Sequence, residues 1–302
     1  MVSVVVITFK HEQFIAKTLD SILAQKRDFD LEILIGEDCS PDSTRQICED
    51  YQKKHSDIIR LLPSKENLGV NKNILRTISE SKGDYIAFCE GDDYWIDQHK
   101  LQKQVDFLTE NPLCFMSTHD AVVMQDGKET GLYSELPGNA MKGKYKRIFT
   151  TEDTFEGWFL HTATLMHRNK KLDYPSILYE AFSFDVAYIS ILSKHGTIGY
   201  IDQAMSCYRK HPGGISFTGW KKGNYYLNWL TMYDALDEYF DFKYHKQISK
   251  AKEKNCYWYF EKIERESNEL IRKMGRGELD VSYPMLLRII KGYFRRKLKR
   301  IK

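Results

Sequence analysis

The segment VSVVVITF (Val2–Phe9) constrains the fold more than any other. It is a nearly unbroken run of β-branched and aromatic residues with no polar face, so it reads as a strand covered on both sides. The chain then switches to helical spacing, with Phe14, Ile15, Leu19, Ile22 and Leu23 on one face. The switch repeats. LEILIG (Leu31–Gly36) precedes a helix over Ser43–His55, and IIRLL (Ile58–Leu62) precedes one over Asn71–Ser81. YIAFC (Tyr85–Cys89) precedes a helix that Asp97 can cap and that reaches Thr109. Strand–helix alternation with short joints predicts an α/β chain built on a doubly wound, mostly parallel sheet.

The second half is less regular. CFMSTHDAVVMQDG predicts strands about an Asp-Gly turn, and residues 126–146 read as a polar loop. TATLMHR (Thr162–Arg168) reads as a strand, and Asp185–His195 as a helix stopped by Gly196. TIGYIDQAMSCYR is a further strand, followed by the loop KHPGGIS. From Trp220 to Met274 the pattern is helical. These readings give three parts: an α/β domain over 1–218, a helical region over 219–278 and a basic amphipathic tail over 279–302.

Several classes are disfavoured. None of the six cysteines forms a CxxC pair, and most adjoin apolar residues, so they read as small buried hydrophobes and not as metal ligands. The start lacks the basic region of a secretory signal, and no apolar run is long enough to span a bilayer. The expected setting is the reducing cytoplasm. The stretch from Arg288 to Lys302 contains no acid, and Leu286, Ile290, Phe294, Leu298 and Ile301 recur near helical spacing. That is the composition of a helix lying in an anionic membrane interface, which predicts peripheral attachment at the inner face of the cell membrane. A helix packed on its own domain is the alternative. A nucleic-acid tail would have no use for the apolar stripe, so no nucleic-acid partner is expected.

In a doubly wound sheet, ligands bind beyond the carboxyl ends of the strands. By that rule Thr8–Lys10, Glu37–Asp42 and Glu90–Asp93 share one rim. The run CEGDDYW places Glu90, Asp92 and Asp93 at a strand end, where clustered carboxylates are costly unless a cation or strong donors neutralise them. A hard divalent ion takes oxygen ligands of this kind and completes its shell with phosphates and water. A solvated acidic turn accounts for the run equally well by itself. Asp38 on the same rim can accept from an imide N–H, such as that of uracil, or bind a ribose hydroxyl.

Taken in order, these segments resemble family 2 inverting glycosyltransferases of the GT-A fold. The resemblance covers roughly residues 2–217. VSVVVITFKHEQFIAKTLDSILAQ resembles the family's opening strand and helix, and EILIGEDCSPDST its DDGSxD segment. NLGVNKNILRTISESKGDYIAFCEGDDYW is similar to its N-x-G … DDxW run, and YRKHPGGIS to its YRxH loop. The resemblance implies a Rossmann-like sheet flanked by helices, to which the helical pattern after Trp220 adds a C-terminal extension. It implies sugar transfer from a nucleotide-diphosphate donor, UDP- or dTDP-linked by virtue of Asp38, to a glycan or lipid-linked glycan acceptor. It also implies Mn2+ or Mg2+ bridging the diphosphate.

Carried over position by position, Thr8 and Asp38 match contacts to the base, and Glu90 an acid near the ribose. Glu37, like Glu90, stands where Asp is more usual, on the donor side. Asp92 and Asp93 match the acids at the metal. His211 could ligate the ion and Arg209 offset phosphate charge. The general base that the family places at a helix start falls on Asp185 in FSFDVAYISILSKHG, although Phe184 and Val186 replace the usual Gly and Trp. A plain helix cap at Asp185, or a base at Asp173 or Glu180, competes with that assignment. Two other readings remain: a nucleotidyltransferase, which would usually carry a Gly-rich loop where TFKHEQF stands, and a sugar-nucleotide- or glycan-binding protein without turnover.

Overall fold

The run Val2–Thr8 forms strand β1 and is buried at every position but Ile7, as its lack of a polar face requires. The computed structural model describes residues 1–137, 139, 147–157, 160–214 and 225–266. Helix α1 (Ile15–Leu23) buries Ile15, Leu19 and Ile22, the stripe its spacing predicts. Then follow β2 (Leu31–Glu37), α2 (Thr44–Lys54), β3 (Ile59–Pro63), α3 (Val70–Ser79) and β4 (Tyr85–Phe88). The two-residue β5 (Tyr94–Trp95) precedes α4 (Lys100–Glu110). The second half adds β6 (Cys114–Gln125), β7 (Lys128–Leu132), β8 (Ile148–Phe149), β9 (Met166–Arg168), α5 (Ile177–Glu180), α6 (Phe184–Leu192) and β10 (Thr197–Lys210).

These strands make one sheet in the order β3-β2-β1-β4-β9-β6-β10-β5, with β7 on β6 and β8 on β10. The first four run parallel, and β6 runs parallel to β10. Strand β9 lies antiparallel to both β4 and β6, so those two point the same way. The main strands therefore deliver their carboxyl ends to one rim. The core beneath joins Val2, Val4, Val6, Leu19, Ile33, Ala87, Cys89, Trp95, Leu101 and Met166.

Three local expectations are corrected. Thr162–Thr164 is a 3-10 turn, leaving only Met166–Arg168 as strand. The His161 ring accepts from Ala163 N, and Thr164 Oγ1 donates to His161 O at 2.6 Å, so side chain–backbone bonds displace the ladder there. Within the expected loop 126–146, residues 128–132 form β7, because Asp126 and Gly127 both take positive φ (51° and 75°) and close a tight hairpin. Asp97 does not cap α4 at its first turn: it accepts from His99 N at 2.7 Å, one step before the helix.

The chain divides into two compact units, Met1–Lys222 and Gly223–Lys302. In the second, α7 (Tyr225–Tyr239) and α8 (His245–Glu266) bury Trp229, Met232, Tyr233, Leu236 and Ile248. No helix among the described residues is long and apolar enough to cross a membrane. The basic tail lies outside the described residues.

Candidate active site

Three loops meet at the carboxyl ends of β1, β2 and β4. The first two are cross-braced. Lys10 N donates to Ser40 Oγ (3.1 Å), His11 N to Thr44 Oγ1 (2.8 Å) and Ser43 N to Glu12 Oε2 (2.9 Å). Lys10 and Cys39 both sit in the left-handed region, at φ 60° and 59°. Non-glycine residues persist there only when the surroundings over-determine them. The third loop carries the acids. Gly91 N donates to Ile7 O at 2.9 Å, which draws the loop onto β1. A Cβ on Gly91 would stand 2.6 Å from Thr8 Oγ1 and 2.8 Å from His11 Nδ1, so only glycine fits that approach.

The result is a cleft of about 510 Å³ lined by Thr8, His11, Asp38, Asn67, Asn73, Glu90, Asp92, Asp93, His161 and Tyr208–His211, among others. Thr8, Asp38, Glu90, Asp92, Asp93, Arg209 and His211 are thus brought together as the sequence suggests. Glu37 is not. Its carboxylate is fully buried, pairs with Arg45 Nε at 2.6 Å and accepts from Ser40 N at 2.6 Å, so it braces the β2–α2 loop. Asp38 has a bracing role as well: it accepts from Leu68 N (2.9 Å) and Gly69 N (3.0 Å), holding the loop before α3 on the rim.

The three acids differ sharply. Asp92 Oδ2 lies 3.1 Å from His211 Nε2 and 3.6 Å from His11 Nε2. Burial disfavours its charge, yet the His211 hydrogen bond and the two imidazoles outweigh that and hold it below the usual carboxylate range. Asp93 is 2 % exposed and accepts from Arg209 N at 2.8 Å, with His161 Nε2 at 3.5 Å. Burial, then the charges of Asp92 and Glu90, push it well above that range. Glu90 is pushed up to about 8, first by burial and then by Asp92. Its Oε2 is buried with no partner, and so is Arg209 Nη1. An acceptor and a donor buried without partners on one cleft fit a site that a bound polar ligand completes. Oxygen and imidazole donors at such a point suit a divalent cation. Ligand atoms of Glu90, Asp93 and His161 also lie within 4.8 Å of one another.

The Arg209 guanidinium lies over Tyr94 at 4.4 Å and Phe14 at 5.2 Å. Trp95 is a core residue, with its Nε1 donating to Ala163 O at 3.1 Å. Asp185 occupies the first turn of α6, where Ser183 Oγ donates to it. It does not line the cleft, but its charge reaches Glu90 and Tyr133. The rivals Asp173 and Glu180 are solvent-exposed. Sequence reasoning passed over His11, Asn67 and Asn73. His11 was within reach, since it follows Thr8 in a rim loop.

Residues 3–169 match the family described as Glycosyl transferase family 2. The chain belongs to that family. Among its relatives is an uncharacterized Mycobacterium tuberculosis protein, 29 % identical over 214 residues, covering 70 % of this chain and 60 % of the relative. The chain thus spans well under two thirds of that protein. The putative teichuronic acid biosynthesis glycosyltransferase TuaG of Bacillus subtilis is 27 % identical, over 73 % of this chain and 83 % of its own. The family's fold is shared by solved structures. S. aureus TarS 1-349 in complex with UDP-GlcNAc superposes with a TM-score of 0.58 at 19 % identity, over 78 % of this chain and 66 % of that one. The mannosyltransferase PcManGT from Pyrobaculum calidifontis, in complex with GDP-Man and Mn2+, gives 0.58 at 14 % identity, over 78 % and 64 %.

Proposed function

We propose that the chain is a cation-dependent, inverting glycosyltransferase. It moves a sugar from a nucleoside diphosphate donor to a hydroxyl of a cell-surface or lipid-linked glycan. The observation that carries this reading is a pair of groups on one cleft, the Asp92 carboxylate facing His211 and the orphaned Arg209 Nη1. One calls for a cation and the other for an anion, and a donor diphosphate with its divalent ion supplies both.

Asp92 and His211 hold the ion: the Asp92 carboxylate is 20 % exposed on the cleft, and its Oδ2 lies 3.1 Å from His211 Nε2. Asp93, also read as a metal ligand, accepts from Arg209 N, and it keeps a ligand atom within 4.8 Å of those of Glu90 and His161. When bound, the ion neutralises charge on the departing diphosphate. Arg209 adds a second positive group. Each Asp38 oxygen keeps a lone pair beyond the amide it already accepts, so an imide N–H can still be read there. That favours UDP- or dTDP-sugars. A 37 % identical segment of a Shigella flexneri dTDP-rhamnosyl transferase supports the same class.

Asp185 takes the acceptor proton as the acceptor oxygen bonds to the anomeric carbon and the diphosphate leaves from the opposite face. Its place at a helix start, its Ser183 hydrogen bond and the reach of its charge to Glu90 support that role. The setting is the cytoplasmic face of the membrane, with the basic tail as the attachment.

The decisive experiment screens nucleotide sugars with Mn2+, following nucleotide release and glycan product, for the wild type and Asp185→Asn. We expect the variant to bind donor unchanged and to lose transfer by at least 100-fold. Undiminished transfer would remove Asp185 from the mechanism, and activity indifferent to EDTA would remove the ion. Release of pyrophosphate in place of nucleoside diphosphate would mark a nucleotidyltransferase.

A further inference from the structure

We infer that His11 is a second imidazole ligand to the cation, so that the site offers two imidazoles and one carboxylate and favours a first-row transition ion over Mg2+. The inference rests on the reading that Asp92 and His211 hold the ion.

Three observations carry it. The first is position. Nε2 of His11 and Nε2 of His211 approach the same oxygen, Asp92 Oδ2, at 3.6 and 3.1 Å, with the rings nearly perpendicular at 81°. Neighbouring ligand atoms around an octahedral ion with bonds of about 2.1 Å stand about 3 Å apart. Small adjustments of two side chains would close such a shell, leaving its other positions to phosphate and water.

The second is orientation. A ligating histidine typically donates its other ring N–H to an oxygen, which fixes the tautomer and aims the free lone pair. His11 Nδ1 lies 3.2 Å from Thr8 Oγ1, and the backbone behind it is fixed by His11 N donating to Thr44 Oγ1 at 2.8 Å. Thr8 thus acts as the orienter of His11. His161 behaves oppositely. Its Nδ1 accepts from Ala163 N at 3.3 Å, so its Nε2 carries the proton toward Asp93 and has no lone pair to give. The cluster of Glu90, Asp93 and His161 is therefore the poorer cation site, although its atoms lie closer together.

The third is donor chemistry. Mg2+ prefers an all-oxygen shell, whereas imidazole nitrogen suits later divalent ions. Two imidazoles tilt the site away from Mg2+ and toward first-row transition ions, of which Mn2+ is the mildest case and a convenient probe.

The test is pulsed EPR on the full chain with Mn2+ alone, and again with Mn2+ and UDP, counting nitrogen couplings to the ion. We expect two imidazole couplings in the wild type and one in each of His11→Gln and His211→Gln. Mn2+ affinity should fall about 10- to 100-fold in His11→Gln, with Mg2+ affinity less affected and the melting temperature nearly unchanged. Thr8→Val should keep both couplings and weaken Mn2+ binding less. A single coupling in the wild type, or two in His11→Gln, overturns the role of His11 while the cation site stands. An equal loss of Mn2+ and Mg2+ affinity in His11→Gln overturns the selectivity. If neither condition shows bound Mn2+, the cation reading itself fails, and the inference with it.

Discussion

Gly91→Ala places one methyl group where the acidic loop meets β1. The new Cβ would stand 2.8 Å from Thr8 Cβ and 2.6 Å from Thr8 Oγ1. Carbon atoms pack at about 3.5–4.0 Å, so roughly 1 Å must be found. Thr8 is 2 % exposed and paired in register with Glu37, so it cannot yield it. His11 is tied to Thr44. The loop itself must lift, against the bonds from Gly91 N to Ile7 O (2.9 Å) and from Thr18 Oγ1 to Gly91 O (3.0 Å). Overpacking of this kind costs about 1–3 kcal/mol. A shift near 1 Å in Glu90 and Asp92 should lower turnover about 100-fold. Thermal melting and nucleotide release at saturating donor, corrected for the folded fraction, measure the two effects. Gly199→Ala is the control. Its Cβ would meet Phe107 Cε1 at 2.1 Å, and neither residue lines the cleft. It should melt lower and keep its turnover. A folded Gly91→Ala protein with wild-type turnover would refute the claim that the acids work only when pressed against β1.

Two further outcomes follow from buried charges. Glu37→Ala should cost about 1–2 kcal/mol, chiefly by freeing the Ser40 amide, since Arg45 is 35 % exposed and stays solvated, while donor affinity of the folded protein changes little; a selective loss of donor binding in chemical denaturation and binding assays would return Glu37 to the donor site. Lys100 is fully buried, bonds Gln104 Oε1 at 2.6 Å, and burial pushes it down to about 7. Its value in the unfolded chain is about 10.4. Between those values the unfolded state holds a proton that the folded state does not, so stability should rise with pH, by about 1.4 kcal/mol per unit at the steepest. Lys100→Met should lack that rise in denaturant titrations between pH 7 and 9.5, and parallel profiles would show that Lys100 stays charged in the fold.

The half of the chain with strict periodicity was legible because burial alone decides its conformation. An apolar run such as Val2–Thr8 has no other use, and the stripe Ile15, Leu19, Ile22 needs a sheet to cover it. The rim positions of Asp38, Asp92 and Arg209 followed from strand direction and from the resemblance. What escaped was the hydrogen bonding of individual side chains. Glu37 and Asp38 are adjacent and chemically alike, yet Arg45 draws one inward while the other keeps a face on the cleft. Strand alternation sends neighbours to opposite sides, and it does not say which side a loop will leave open. The Thr162–Thr164 turn escaped for the same reason, since His161 and Thr164 bond their own backbone where a β pattern was expected.

The topology also explains why two aromatics follow the acids in CEGDDYW. After β1 the chain builds β2 and β3 on one side and returns to the other with β4, so the loops leaving β1 and β4 part at a switch point and open a crevice. The acids enter that crevice, but a flexible turn would not aim them. Tyr94 and Trp95 supply the aim by pairing with Cys207 and Ser206 of β10 as the short strand β5. That pairing carries the end of β10 past the acidic turn, so that Arg209 N reaches Asp93 and His211 reaches Asp92. Trp95 is locked below by its bond to Ala163 O, and Tyr94 faces upward under Arg209. The acids and the distant YRKH run therefore form one unit, joined by a ladder two residues long. Loss of that ladder would separate the carboxylate from its imidazole even with every charged residue in place.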